Sequence, residues 1–327
     1  RIGVVLVQQA RDLLEARQVR IYFGAVAAAA TLGLLFPAMA TLDLAINPAL
    51  AFMLFVTFLQ VPLADLGRAF TRWRFMAPLL AANFLAIPLL VGALSQFLPV
   101  DPLIRLGVLL VLLTPCIDYV VTFAHLGRAD AKLLLAATPA LLLLQMALLP
   151  VYLALLLGEE AARLVQISPF LHAFVWLIAA PLALAGFVQL WAGRTASGVR
   201  AASVLGVLPV PATALVLFVV VAAVVPQLGL ARAAVLTVVP FYVAFALLAP
   251  IVGWWVARLA GLQGGEARGV AFSAATRNSL VVLPLALAVP DAVPVLPAII
   301  VAQTLVELVS ELVYVRAIPR LGKAAPA

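Results

Sequence analysis

Long apolar runs constrain this chain more than any other feature. Ten stretches, at 20–40, 46–64, 75–97, 103–125, 131–157, 167–192, 202–225, 231–258, 267–289 and 294–316, continue for about 20 residues with few or no ionisable side chains. That is the length an α-helix needs to cross the hydrocarbon of a bilayer. Apolar residues do not alternate with polar ones along them, as the strands of a transmembrane barrel require. Over all 327 residues the chain is 66% hydrophobic and 10% charged, more apolar surface than the interior of a compact soluble domain can hold. The expected fold class is therefore an all-α polytopic membrane protein with ten transmembrane helices, and the lipid bilayer is its first partner.

A net charge of +7 does not imply nucleic-acid binding here. The basic residues form no single patch; they fall in short clusters at the ends of alternate apolar runs. Arg1, Arg11, Arg17, Arg20, Arg68, Arg72, Arg74, Arg128, Lys132, Arg194, Arg200, Arg258, Arg268, Arg316, Arg320 and Lys323 fall on one side, 16 in all, against Arg105, Arg163 and Arg232 on the other. Basic loops stay in the cytoplasm, so both termini are expected there and the protein in the cell's inner membrane. The first 20 residues read as an amphipathic stretch, not as a cleavable signal.

Ten spans divide into five and five. An odd number turns the second half over, which predicts two inverted repeats with a substrate site between them near the midplane. The expected organisation is a cytoplasmic segment 1–19, repeats 20–157 and 167–316 joined by a linker 158–166, and a tail 317–327. The repeat rests on topology alone, because no residue-level likeness between the halves is evident.

Ionisable groups inside spans are costly and mark candidate sites. Asp118 lies in the fourth segment, Arg277 in the ninth, Glu307 and Glu311 in the tenth. The fourth and ninth are equivalent in the two halves, and both look interrupted: Thr114-Pro115-Cys116-Ile117-Asp118-Tyr119 and Ser273-Ala274-Ala275-Thr276-Arg277-Asn278-Ser279. Proline removes a backbone donor, and unwound backbone at membrane depth survives only inside protein or beside a cavity. Asp118 and Arg277 are expected to face each other where the breaks meet. Glu307 and Glu311 share a helix face, one expected beside the site and the other toward the boundary near Arg316. His125 and His172 read as interfacial, as do Trp73, Trp254 and Trp255. No cofactor is expected.

Pro115-Cys116-Ile117, His125-Leu126-Gly127-Arg128-Ala129-Asp130, Ala274-Ala275-Thr276-Arg277-Asn278 and Leu305-Val306-Glu307 resemble the arsenical-resistance permeases, a branch of the bile acid/sodium symporter superfamily. The resemblance runs along nearly the whole chain. It implies helices 1, 2, 6 and 7 as a panel, helices 3–5 and 8–10 as a core, and broken helices 4 and 9 crossing inside that core. It also places Cys116 and Glu307 at the cysteine and glutamate that the arsenite exporters require. The chain departs from the exporters in Asp118-Tyr119 and in Arg277-Asn278. Where the sodium-coupled branch carries Glu and Gln, this chain has Ser273 and Arg277, so no sodium site is expected there.

A secondary transporter is the resulting expectation, exporting arsenite or antimonite in exchange for protons, with Glu307 as the proton carrier. Cys116, Asp118, Tyr119, Arg277, Asn278, Ser279 and Glu307 are the expected substrate-binding or coupling residues. One soft thiol suits a thiophilic metalloid that must also be released. The alternative is a sodium-independent carrier of small organic anions, with Arg277 pairing a carboxylate. An enzyme is not expected, since no His shares a segment with Cys116 in catalytic spacing and no nucleotide loop is present.

Overall fold

A computed structural model describes residues 2–60, 72–117, 119–157, 171–172, 174–289 and 292–321. Asp118, Arg68, Arg163, Lys323 and the expected linker 158–166 lie outside the described residues.

Among those residues every extended regular element is a helix: α1 (Ile2–Leu35), α2 (Asp43–Phe58), α3 (Trp73–Ser95), α4 (Pro102–Leu112), α5 (Val120–Leu126), α6 (Ala131–Leu156), α7 (Val175–Ala192), α8 (Ala196–Leu205), α9 (Pro209–Val224), α10 (Leu228–Leu259), α11 (Gly264–Ala275), α12 (Ser279–Leu287) and α13 (Val295–Ala317). Seven are long and apolar enough to cross a membrane, and α8 with α9, bent by 41°, make an eighth if taken as one span. The fourth and ninth expected spans are absent from that count because each is split into two short helices. Large apolar side chains such as Leu89, Leu155 and Leu247 point outward with relative exposures of 76%, 75% and 65%, as lipid-facing residues do.

Proline sets one boundary differently from expectation. The first run was expected to continue to residue 40, but α1 stops at Leu35. Phe36 precedes Pro37 and is driven out of the helical region, to φ −127° and ψ 93°. At the other end, the segment 1–19, expected as a separate piece, is helical from Ile2 and continuous with the first apolar run.

Contacts divide the chain into two units. One comprises Arg1–Val61, Gln166–Arg232 and Leu283–Ala298. Inside it α9 packs between α1 and α2, and α7 packs on α2 and α8. The other comprises Pro62–Val165, Ala233–Val282 and Ile299–Ala327, and holds α3 to α6, most of α10 and all of α11.

In this second unit Pro88 and Pro250 interrupt helices, and these two interruptions are repaired in the same way. Pro88 in α3 lacks the N–H that would bond the carbonyl of Phe84, four residues earlier; the Tyr152 hydroxyl of α6 donates to that carbonyl at 2.6 Å. Pro250 in α10 likewise releases the carbonyl of Ala246, and the Tyr314 hydroxyl of α13 donates to it at 2.5 Å. A shift of 162 residues carries the first set onto the second: Phe84 to Ala246, Pro88 to Pro250, Tyr152 to Tyr314. It also carries Pro78 to Pro240, each inside its helix. The two sets correspond in packing partners rather than in runs of identical letters.

Candidate functional site

The same shift carries Pro115 to Arg277, and those two residues lie opposite each other in an isolated antiparallel bridge. The chain leaves α4 after Leu112 and runs extended through Pro115; it leaves α11 after Ala275 and runs extended through Arg277. Cys116 N–H donates to the Thr276 carbonyl at 3.0 Å, and Asn278 N–H donates to the Thr114 carbonyl at 2.8 Å. Each broken helix thus satisfies peptide groups that the other leaves open, as buried backbone requires. In this pattern Pro115 and Arg277 form the pair that does not exchange hydrogen bonds with each other. Pro115 therefore needs no N–H, and the peptide groups of Arg277 point away from the bridge. They meet the tenth span: Arg277 N–H donates to Glu307 Oε2 at 2.7 Å, and the Tyr119 hydroxyl lies 3.3 Å from the Arg277 carbonyl and hydrogen-bonds Glu307 Oε1.

Arg277 is fully buried. Its guanidinium folds back over the end of α11, whose last carbonyls have no helical donor and carry the negative end of the helix dipole. Nη2 reaches Ser273 O at 2.6 Å, Ala274 O at 2.7 Å and Asn83 Oδ1 at 2.9 Å, while Nη1 reaches Leu112 O at 3.4 Å. The Phe245 ring lies 5.6 Å from the guanidinium carbon. Asn83 is held in turn, its amide nitrogen donating to Leu79 O at 3.0 Å and to Ser273 Oγ at 2.9 Å. Asn83 sits on a π-helical turn, Ala82–Ala86, a widening of α3 often found at functional positions. Close approach of α10 to α11 is permitted by Gly253, where a Cβ would lie 2.5 Å from that of Ala274.

Two acids of α13 face the crossing. Glu307 accepts from Tyr119, Arg277 N–H and the Gln303 amide, the last at 2.6 Å, so both carboxylate oxygens are engaged. Glu311 is also fully buried, with a relative exposure of 0%. Its Oε1 lies 2.5 Å from Thr276 Oγ1, and its Oε2 has no hydrogen-bond partner among the described residues. Ser279 Oγ and Thr304 Oγ1 are 2.8 Å apart. A cavity of about 10 Å³, the size of one water, is lined by Leu112, Tyr242, Phe245, Gln303, Glu307 and Tyr314. The Tyr242 hydroxyl and Gln303 Oε1 both lack partners among the described residues.

Of the expected site residues, Cys116, Tyr119, Arg277, Asn278, Ser279 and Glu307 are all buried and lie in the two breaks or on α13 facing them. Asp118 lies outside the described residues, and with it the expected ion pair to Arg277. Sequence reasoning missed Asn83, Thr276, Gln303 and Thr304. The last two had a signal: Gln303, Thr304, Glu307 and Glu311 recur at three- and four-residue spacing, one polar stripe on an apolar helix. The motif around Gly127 proves to be structural. A Cβ there would meet the Phe272 ring at 2.2 Å, and Asp130 caps α6 by accepting from Leu133 N–H at 3.1 Å. His125 and His172 are exposed.

Apolar helices interrupted at two places, with the breaks paired around buried ionisable groups, define a polytopic membrane protein built around an internal polar site. Residues 47–231, more than half of the chain, match the sodium/bile acid symporter family, and the chain belongs to it. The family consists of membrane transporters, so a small-molecule substrate is implied. No curated protein matches the chain.

Proposed function

We propose that this transporter exports arsenite or antimonite in exchange for protons. The observation that carries the reading is the position of Cys116. The only thiol of the chain is fully buried in the crossing, with its N–H bonded to Thr276 and with Tyr119, Arg277 and Glu307 joined by hydrogen bonds beside it. A single soft ligand binds a trivalent metalloid without holding it permanently. Cys116→Ser should abolish arsenite and antimonite resistance in cells lacking other exporters while leaving expression unchanged. Preserved resistance ends the metalloid reading.

Small organic anions are the second reading, favoured by Arg277 Nε, which has no partner among the described residues. Against it, Nη2 is already engaged by three oxygens. A thermal-shift screen of purified protein with arsenite, antimonite and small carboxylates separates the two, since the true ligand stabilises by mass action.

The architecture that goes with this reading is ten crossings in two inverted five-helix repeats. Adding the bent pair α8–α9 and the broken pairs α4–α5 and α11–α12 to the seven continuous spans gives that number. The 162-residue correspondence of prolines and tyrosines supports the repeat.

A further inference from the structure

We propose that Glu311, not Glu307, is the acid that carries the exchanged proton. This rests on the proton-exchange reading above, and the argument is a count of hydrogens. Thr276 Oγ1 lies 2.8 Å from the Phe272 carbonyl and 2.5 Å from Glu311 Oε1. A carbonyl and a carboxylate both only accept, and a hydroxyl has one hydrogen to give. One hydrogen cannot serve both contacts. Given to Glu311, it leaves an anion whose Oε2 has no donor among the described residues. A neutral Glu311 donating to Thr276 Oγ1 lets the hydroxyl donate to Phe272 O and leaves only an acid carbonyl unpaired, and that is the arrangement we infer.

Its other oxygen agrees. Glu311 Oε2 is buried without a partner among the described residues, tolerable for the carbonyl of a neutral acid and very costly for an anion. Glu307, one turn away, is the opposite case: three donors reach its two oxygens, so it is satisfied as an anion. Two like groups in one site, held in opposite protonation states by their surroundings, are the arrangement by which acid and fixed charge are divided. The other titratable groups around Glu311 are Glu307 and Tyr314 on its own helix, Arg277 and Cys116 at the crossing, and Tyr242 of α10, which lines the cavity beside Tyr314.

Thr276 ties the proton to the site. When Glu311 releases its proton, the carboxylate has no donor unless the Thr276 hydroxyl turns from Phe272 O to Glu311 Oε1. That turn takes the hydroxyl from the Phe272 carbonyl, which keeps the Thr276 N–H, at the residue whose carbonyl holds Cys116 N–H. Release of the proton to water breaks the carboxyl O–H bond and exchanges one hydrogen bond of the Thr276 hydroxyl for another, which couples it to the residue that positions the thiol.

Two measurements test this. Infrared spectra of the purified protein in bilayers at neutral pH should contain the carbonyl stretch of a buried protonated carboxylic acid. The band should vanish in Glu311→Gln and persist in Glu307→Gln. Its absence from the wild type, or its survival in Glu311→Gln, overturns the protonation. Proteoliposomes loaded with arsenite form the second arm. Glu311→Gln, whose amide can donate to Thr276 as the acid does, should keep its thermal midpoint and should lose the acceleration that a pH gradient gives the wild type. A full gradient response in Glu311→Gln overturns the proposal while leaving proton exchange standing. A wild type indifferent to the gradient overturns proton exchange itself and Glu311's role with it.

Discussion

Arg277 owes its conformation to the helix it follows. Three acceptors surround one of its nitrogens because α11 ends in carbonyls that α-helical geometry leaves open, and Asn83 supplies the third. Replacing Arg277 by Met keeps much of the volume and removes every donor. Each buried acceptor left unmade costs about 1–3 kcal/mol, so Arg277→Met should lower stability by more than about 2 kcal/mol. A thermal midpoint in detergent equal to that of the wild type would show that the carbonyls find other donors. Cys116, Arg277 and Glu307 were legible in the sequence because a charge or a lone thiol in an apolar run is conspicuous. Asn83 was not, since one neutral amide in a span is unremarkable until its partners are known. The contact of Glu311 with Thr276 was not legible either, since it depends on how α13 packs, which no spacing along one helix determines.

Helices in this chain are interrupted by proline and repaired from a neighbour. The prolines are visible in the sequence as Pro88 and Pro250. The repair is not, because Tyr152 and Tyr314 each stand 64 residues beyond the proline they compensate, and only packing brings them together. Tyr314→Phe should cost about 1 kcal/mol, the net worth of its hydrogen bond to the part-buried Ala246 carbonyl. Pro250→Ala restores the helical N–H to that carbonyl. The double variant Tyr314→Phe with Pro250→Ala should therefore recover most of the loss, and a double-mutant cycle on thermal midpoints measures the coupling. Additive losses would mean that the tyrosine acts through packing alone. By the 162-residue correspondence, Tyr152→Phe and Pro88→Ala should couple with the same sign. Breaks in the fourth and ninth segments were legible from Pro115 and from the polar run around Arg277. Their mutual pairing required the structure, since nothing in either segment specifies the other as its partner.

At the scale of the molecule, the class of protein was open from the apolar runs alone, whereas the arrangement of spans rests on charge. If both termini are cytoplasmic, a cysteine placed at Ala161 in a Cys116→Ser background should react with an impermeant maleimide only from outside intact cells. Labelling from the cytoplasm would reverse the orientation.

The crossing leads to a prediction of sodium independence. A hard monovalent cation needs several oxygen ligands converging on one point. Here Ser273 O, Ala274 O and Asn83 Oδ1 do converge, and the point is occupied by a guanidinium nitrogen. The guanidinium offers no acceptor of its own and carries a positive charge, so a sodium ion entering the same space would meet repulsion without gaining a ligand. The open carbonyls of α11 are thus satisfied by a cation that belongs to the chain and cannot be exchanged for one from solution. Arsenite flux in vesicles should be unchanged when sodium is replaced by choline at fixed pH and ionic strength. A flux that climbs steeply with sodium would mean that the ion is bound elsewhere, or that Arg277 leaves the crossing during the cycle.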